Sequence, residues 1–206
     1  MDLDTPREKN HKLQKEKIFN AAKEIIEDYG VEYATVKNIC ERASISNGSF
    51  FHYFKSKEEL LAYYFEDGFQ KFLDGKLEEF TDSRDFARKI IEAYALYGRY
   101  CQRSGLNFIS NYYSTKNKAL NSHASRHNMN TSISIEPIAA DISAAKAAGY
   151  VSDGVDPRDA ACDLCMLLKG VIFDWCLSDG CYDMEAKIRK ILKIYLDTIT
   201  AQPAED

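Results

Sequence analysis

The stretch "SISNGSFFHYFKSKEEL", residues 44–60, decides how the chain is read. Small polar residues come first, then Phe50, Phe51, His52, Tyr53 and Phe54 in unbroken order, then Lys55, Ser56 and Lys57. At 3.6 residues per turn, neighbours on a helix point about 100° apart, so Phe50 and Phe51 do not share one interior. One large aromatic is turned outward, and Gly48 stands just before it.

The flanks carry helix punctuation. Ser46 is placed to cap a short helix through Tyr53. Ser56 and Glu59 fit the capping box S-x-x-E and open a longer helix toward Phe80. Upstream, Thr35 precedes the stripe Val36, Ile39, Cys40 and Ala43 and reads as an N-cap. Further back, Ile18, Ala21, Ala22, Ile25, Ile26 and Tyr29 recur at helical spacing over residues 9–29, and Gly30 suits the position after the helix end. The spacing therefore predicts a long helix and two short ones joined by Ser44, Ile45 and Ser46. That is a helix-turn-helix, whose second short helix is the one that enters a major groove.

Packing then sorts the residues. Ile45, Phe50, Tyr53 and Phe54 are expected to face Ile18, Ile25, Val36 and Ile39. Ser46, Asn47, Gly48, Ser49, Phe51 and His52 are left outside. Asn47, Ser49 and His52 offer hydrogen bonds to base edges or phosphates, and Phe51 offers an apolar surface for a thymine methyl or a sugar. Gly48 admits close approach of a backbone. Lys57 sits in the first turn of the next helix, where the macrodipole disfavours a cation, so a phosphate is its expected partner. Lys55 lies just outside that terminus, and Thr35 and Lys37 stand similarly at the preceding short helix.

The rest of the chain reads as helices over residues 84–103, 106 onward, 133–148, 157–177 and 182–199, with a polar loop around 117–130. The expected fold is all-α, about nine helices in total: an N-terminal three-helix helix-turn-helix domain, residues 1–55, and a C-terminal helical bundle, residues 56–206, for effector binding and dimerisation. Net charge is −5, which by itself argues against a polyanionic partner. Its distribution argues otherwise: residues 1–57 hold ten Lys and Arg against nine Asp and Glu, with a cluster at Arg7, Lys9, Lys12, Lys15 and Lys17. The most apolar run, residues 165–177, is interrupted by Lys169, Gly170 and Asp174, so no membrane span is expected. The N-terminus shows no signal-peptide pattern, and six scattered cysteines point to free thiols and a cytoplasmic location.

Residues 35–60 resemble the N-terminal signature of the TetR/AcrR family of bacterial repressors. The family pattern has a Thr opening the second helix, a Gly-Thr/Ser-aromatic-aromatic run, and a Lys-x-Lys-x-x-Leu start to the fourth helix. Here these are Thr35, Gly48-Ser49-Phe50-Phe51, and Lys55-Ser56-Lys57-Glu58-Glu59-Leu60. Two positions depart from it. The turn glycine common in the family is Ser44, which costs about 1–2 kcal/mol if that residue is left-handed. A tyrosine that often bonds a DNA phosphate is Phe51, which shifts weight to Thr35, Lys55 and Lys57.

The resemblance implies a ligand-responsive transcriptional regulator, a repressor that leaves a palindromic operator on binding a small, apolar or aromatic effector. Its partners would be double-stranded operator DNA, the effector and a second copy of itself; no cofactor and no metal are expected. Aromatics available to line an effector pocket are Phe65, Phe69, Tyr94, Tyr97, Phe108, Tyr112, Tyr113, Phe173 and Trp175, most of which also read as ordinary core. Leu164, Leu168, Val171, Ile172 and Trp175 form one stripe for a dimer face, and Met184, Ile188, Ile191, Tyr195 and Ile199 another. An enzyme is not expected, since no Gly-rich phosphate loop, nucleophile elbow or H-E-x-x-H is present. The alternatives are a helical adaptor using DNA as a platform, and a metal- or thiol-sensing variant using Cys162 and Cys165 or His123 and His127. Cys162 and Cys165 read more simply as small hydrophobes within a helix.

Overall fold

Helices begin where the sequence provides caps. The computed structural model describes residues 5–73, 82–113 and 135–201. Among them, α1 (Pro6–Tyr29), α2 (Val36–Ala43), α3 (Asn47–Tyr53), α4 (Lys57–Leu73), α5 (Phe86–Ser104), α6 (Leu106–Tyr112), α7 (Ile135–Ala147), α8 (Pro157–Leu177) and α9 (Met184–Ile199) follow in order, with 3-10 turns at Val31–Tyr33 and Ser83–Asp85. Thr35 Oγ1 accepts from the Asn38 N–H, Ser46 Oγ from the Ser49 N–H and Ser56 Oγ from the Glu59 N–H. Asp156 and Asp183 cap α8 and α9 in the same way. Each cap satisfies a donor that the helix itself leaves unpaired. The described residues are all-α apart from an isolated antiparallel bridge between Val151 and Thr200. The expected extension of α4 toward Phe80, the polar loop, His123 and His127 lie outside the described residues.

The described chain packs as two compact units, one ending at Gly68 and the other beginning at Phe69. In the first, Ile18, Phe19, Ala22 and Ile25 of α1 meet Ile39 and Cys40 of α2, Phe50 and Phe54 at α3, and Leu60 of α4. Phe50 and Phe54 are almost wholly buried. Each contributes about 1.5–3 kcal/mol by leaving water. Ile45 and Tyr53 pack on the rim of this core. Arg42 on α2 reaches Glu24 on α1 at 2.9 Å, an exposed pair of small worth. Lys15 lies over the rings of Phe54, 5.2 Å away, and Tyr63, 4.7 Å away, joining α1 to the start of α4.

Between α2 and α3 the chain turns through Ser44, which has φ 51° and ψ 51°. The Ser44 N–H bonds the Glu41 carbonyl at 3.2 Å and the Ile45 N–H the Cys40 carbonyl at 3.0 Å. This is the Schellman arrangement, and it drops Ile45 onto the core beside Cys40. The Cys40 thiol donates to the Ser46 carbonyl across the turn, at 3.7 Å. The left-handed residue is therefore a serine, carrying the strain that glycine avoids.

In the second unit α5 packs along α9, α7 along α8 and α8 along α9. Gly98 allows the close approach of α5 to α9, since a Cβ there would overlap Ile188 Cδ1. The same seam is locked by charge. Arg189 holds Glu92 at 2.6 and 2.8 Å, and Glu185 is shared between Arg189 and Arg99. These guanidinium partners keep both carboxyls below the usual carboxylate range.

The residues expected at a dimer face are placed as follows. Leu164, Leu168, Val171, Ile172, Trp175 and Ile188 are buried within the chain's own bundle. Ile191 is half-buried, and the Tyr195 hydroxyl donates to Asp163 at 2.8 Å. Within the chain, α8 packs against α7 and α9. Phe173 moves the other way: expected in the interior, it is 54% exposed, because it lies on the opposite side of α8 from Ile172 and Trp175.

Ser44→Gly should stabilise the first unit by about 0.5–1 kcal/mol, the relief of left-handed strain less glycine's extra unfolded-chain entropy. A urea-unfolding midpoint that stays put or falls would contradict this.

Candidate nucleic-acid interface

Burial of Phe50 and Phe54 fixes the rotation of α3, and with it what α3 shows to solvent. Asn47, Gly48, Phe51 and His52 are exposed and share one side of the helix. Phe51 is 54% exposed, its ring edge-on to Phe50 at 5.3 Å. Ser46 is exposed and Ser49 half-buried, their hydroxyls 3.0 Å apart. Ser46 Oγ already accepts the Ser49 N–H, but hydroxyls also donate, so the pair can still offer a proton to an acceptor. Thr35 and Lys37, at the start of α2, are exposed too. Thr35 spends only its acceptor on the cap. Lys37 sits 3.9 Å from Glu41 with both side chains largely in water, so the pair holds it weakly.

The lysines divide. Lys55 is exposed, and its backbone N–H donates to Glu59 Oε2 at 2.7 Å. Lys57 was expected to face a phosphate; it is half-buried and its Nζ donates to the Val31 carbonyl at 3.4 Å. The reason is electrostatic. A cation in the first turn of α4 is opposed by the helix dipole, and a nearby carbonyl oxygen offsets that.

His11 was not singled out by the sequence reading. It lies on α1, its ring 4.9 Å from Tyr53 and 5.9 Å from His52. A signal for it existed: His11, Lys15, Ile18, Ala22 and Ile25 form one continuous stripe at helical spacing, so the core face of α1 extends back to His11.

The aromatics of the expected effector pocket are placed as follows. Phe65 is buried in the part of α4 that belongs to the first unit. In the second unit Phe69, Tyr94, Tyr97, Phe108, Tyr112 and Trp175 are buried and Tyr113 is half-buried. Phe69 meets Tyr97 edge-on at 5.0 Å, Phe108 stacks on Tyr112, and the Tyr97 and Tyr113 hydroxyls are 2.8 Å apart. The Tyr94 hydroxyl is buried with no hydrogen-bond partner among the described residues. Burial, then the Cys165 and Cys162 thiols, push its ionisation well up, so it stays neutral. Burial pushes the Tyr113 hydroxyl well up, and burial also raises the Cys165 thiol, with Lys169 opposing. Cys165 is buried in the core and Cys162 is half-buried. Among the described residues no group of three or more metal-ligating side chains converges, and no helix is long and apolar enough to cross a membrane.

A long helix backing two short ones, with a polar and aromatic face on the second, defines a helix-turn-helix domain. The family model for bacterial regulatory proteins of the tetR family matches residues 18–64. That match covers the helix-turn-helix domain, and there the chain is similar to the tetR family. A curated relative, the HTH-type transcriptional regulator PksA of Bacillus subtilis (strain 168), is 34% identical over 58 residues; that match covers 28% of each chain. Solved structures share the fold over nearly the full length. RolR in complex with resorcinol is 18% identical with TM-score 0.63, over 94% of this chain and 91% of that one. SmeT, the repressor of a Stenotrophomonas maltophilia multidrug efflux pump, is 20% identical with TM-score 0.56, over 93% of both. FadR of Thermus thermophilus, a repressor in complex with lauroyl-CoA, is 19% identical with TM-score 0.55, over 93% of this chain and 98% of that one.

Proposed function

We propose that the chain is a ligand-responsive, DNA-binding transcriptional regulator of the repressor type. Its α3 docks in the major groove of a palindromic operator. The second unit pairs with its copy and holds a small, largely apolar or aromatic effector. α4 belongs to both units, so an effector that prefers one setting of α4 changes operator affinity by that preference and no more.

The observation that carries the reading is Gly48. It sits in a short helix, without positive φ, and a Cβ added there would meet only Ser46 Oγ, at an ordinary 3.7 Å. A helical glycine costs up to about 1 kcal/mol relative to alanine, the full amount in a helix interior, and Gly48 is the second residue of α3. Neither the backbone nor the neighbours require it, so the demand comes from outside the fold. A duplex backbone or base edge approaching α3 supplies that demand.

Dimerisation is assigned to the exposed face of α8 and α9, not to the buried stripe. Met166, Phe173 and Leu177 on α8 and Ile194 on α9 are all more than half exposed. Gly170 lies one turn from Met166 and from Phe173 and is exposed as well. A two-fold pairing of such a face brings two recognition helices onto two half-sites. The effector's polar contact is assigned to Tyr94. An unpartnered buried hydroxyl costs about 1–3 kcal/mol, which a ligand's hydrogen bond would offset. The relatives' ligands, resorcinol and lauroyl-CoA, support a small-molecule input and differ too much to name this one.

Gly48→Ala should raise thermal stability by about 0.5–1 kcal/mol yet weaken DNA binding, a split that unfolding and DNA-affinity measurements on one preparation would reveal; equal affinity would remove the argument. Phe173→Asp should shift the mass in solution from two chains to one with helical content kept, and an unchanged mass would exclude this face. Tyr94→Phe should stabilise the ligand-free protein by about 1 kcal/mol, since it deletes an unpaired buried hydroxyl. A loss of stability on melting would mean that the hydroxyl has an internal partner.

A further inference from the structure

His11, His52 and Tyr53 form a ring triangle at the edge of α3. The His11 and His52 centroids are 5.9 Å apart with the rings inclined at 71°, His11 and Tyr53 are 4.9 Å apart, and His52 and Tyr53 are 5.0 Å apart. Tyr53 packs on the core of the first unit, while both histidines are exposed. Two imidazoles from different helices are thus held side by side on the flank that also shows Asn47, Gly48 and Phe51.

We propose that His11 joins His52 as a two-imidazole clasp for a backbone phosphate, one that takes up protons when DNA binds. The inference rests on the DNA-binding reading above and adds to it a residue, a ligand group and a pH dependence. A neutral imidazole has one N–H to donate and a charged one has two. Two charged rings this close oppose each other, and an anion between them removes the opposition. The complex then holds more protons than the separated partners, and linkage makes binding tighter as pH falls.

The charges on the neighbouring stretches are mixed: Lys12 and Lys15 on α1 and Lys55 after α3 are positive, Glu8 and Glu16 on α1 are negative, and Asn47–Tyr53 contains no acidic residue. The carboxylate of Glu59 on α4 accepts from the Lys55 N–H. Lys15 is committed to the rings of Phe54 and Tyr63. Tyr53 buttresses both imidazoles from the core side, so their orientation does not depend on the DNA arriving. His11 contacts the phosphate in this scheme and also positions His52.

The test uses the full chain and a labelled duplex of about 30 base pairs, of arbitrary sequence because phosphate contacts are sequence-independent. Affinity is read by fluorescence anisotropy at fixed ionic strength across the imidazole range, from about pH 8 to about pH 6. The wild-type protein should bind about tenfold tighter at the acid end, and His11→Gln and His52→Gln should each cut that gain to about threefold. Glutamine keeps a hydrogen bond but takes no charge, and both positions are exposed, so melting temperatures should match. A His11→Gln variant that keeps the wild-type pH gain overturns the clasp, and so does one that loses affinity equally at every pH. If the wild-type protein binds no duplex at any pH, the DNA-binding reading fails and the clasp falls with it.

Discussion

The burial of Phe50 and Phe54 among Ile18, Ile25 and Ile39 is the constraint on which the first unit depends. A seven-residue helix has little stability of its own. Two aromatic anchors one turn apart hold α3 against α1 and α2 and leave it a single rotational setting. That setting pushes Asn47, Gly48, Phe51 and His52 outward together. The proposed DNA-reading face is therefore a by-product of the core: the same packing that makes the helix persist decides which side chains a duplex would meet. Substituting an anchor would disturb both at once, whereas the exposed positions can be changed with little effect on the core.

Much of this was legible in the sequence because it is local. Thr35, Ser46 and Ser56 announce helix starts within three residues of the donors they satisfy. The alternation of Phe50 and Phe51 between inside and outside follows from helical period alone. What was not legible depends on partners distant in the chain. Lys57 turns to the Val31 carbonyl, 26 residues earlier, and nothing in its own neighbourhood specifies that. On α8, apolar residues run around more than one side, so periodicity offers two faces without saying which one α7 and α9 cover. The structure settles it by burying Leu164, Leu168, Val171, Ile172 and Trp175 and leaving Met166, Phe173 and Leu177 outside. His11 belongs to a third kind: its stripe was complete, but a histidine at its end does not look like part of an apolar pattern.

The second unit places polar atoms where an all-hydrocarbon core would be more stable. Tyr94, Tyr97, Tyr113 and Cys165 line one seam between helices that are otherwise joined by aliphatic packing, Gly98 against Ile188, and the Arg189 and Glu92 lock. Buried hydroxyls are tolerated when paired, as Tyr97 and Tyr113 are, and costly when not, as at Tyr94. The ion-pair lock and the Gly98 contact lie along α5 and α9, and the Tyr94 hydroxyl on α5 is buried without a hydrogen-bond partner among the described residues.

The seat of Lys15 over Phe54 and Tyr63 changes how the basic N-terminal segment should be counted. Its ammonium is committed to two aromatic faces and serves the joint between α1 and α4. Lys57, by its bond to the Val31 carbonyl, is likewise occupied at home. The number of mobile ions set free when such a surface meets a polyanion tracks the cations that reach phosphates, not those that appear in the sequence. In the proposed complex a chain of net charge −5 would hold nucleic acid through a handful of well-aimed cations, and that hold should respond to ionic strength less steeply than its lysine-rich beginning suggests.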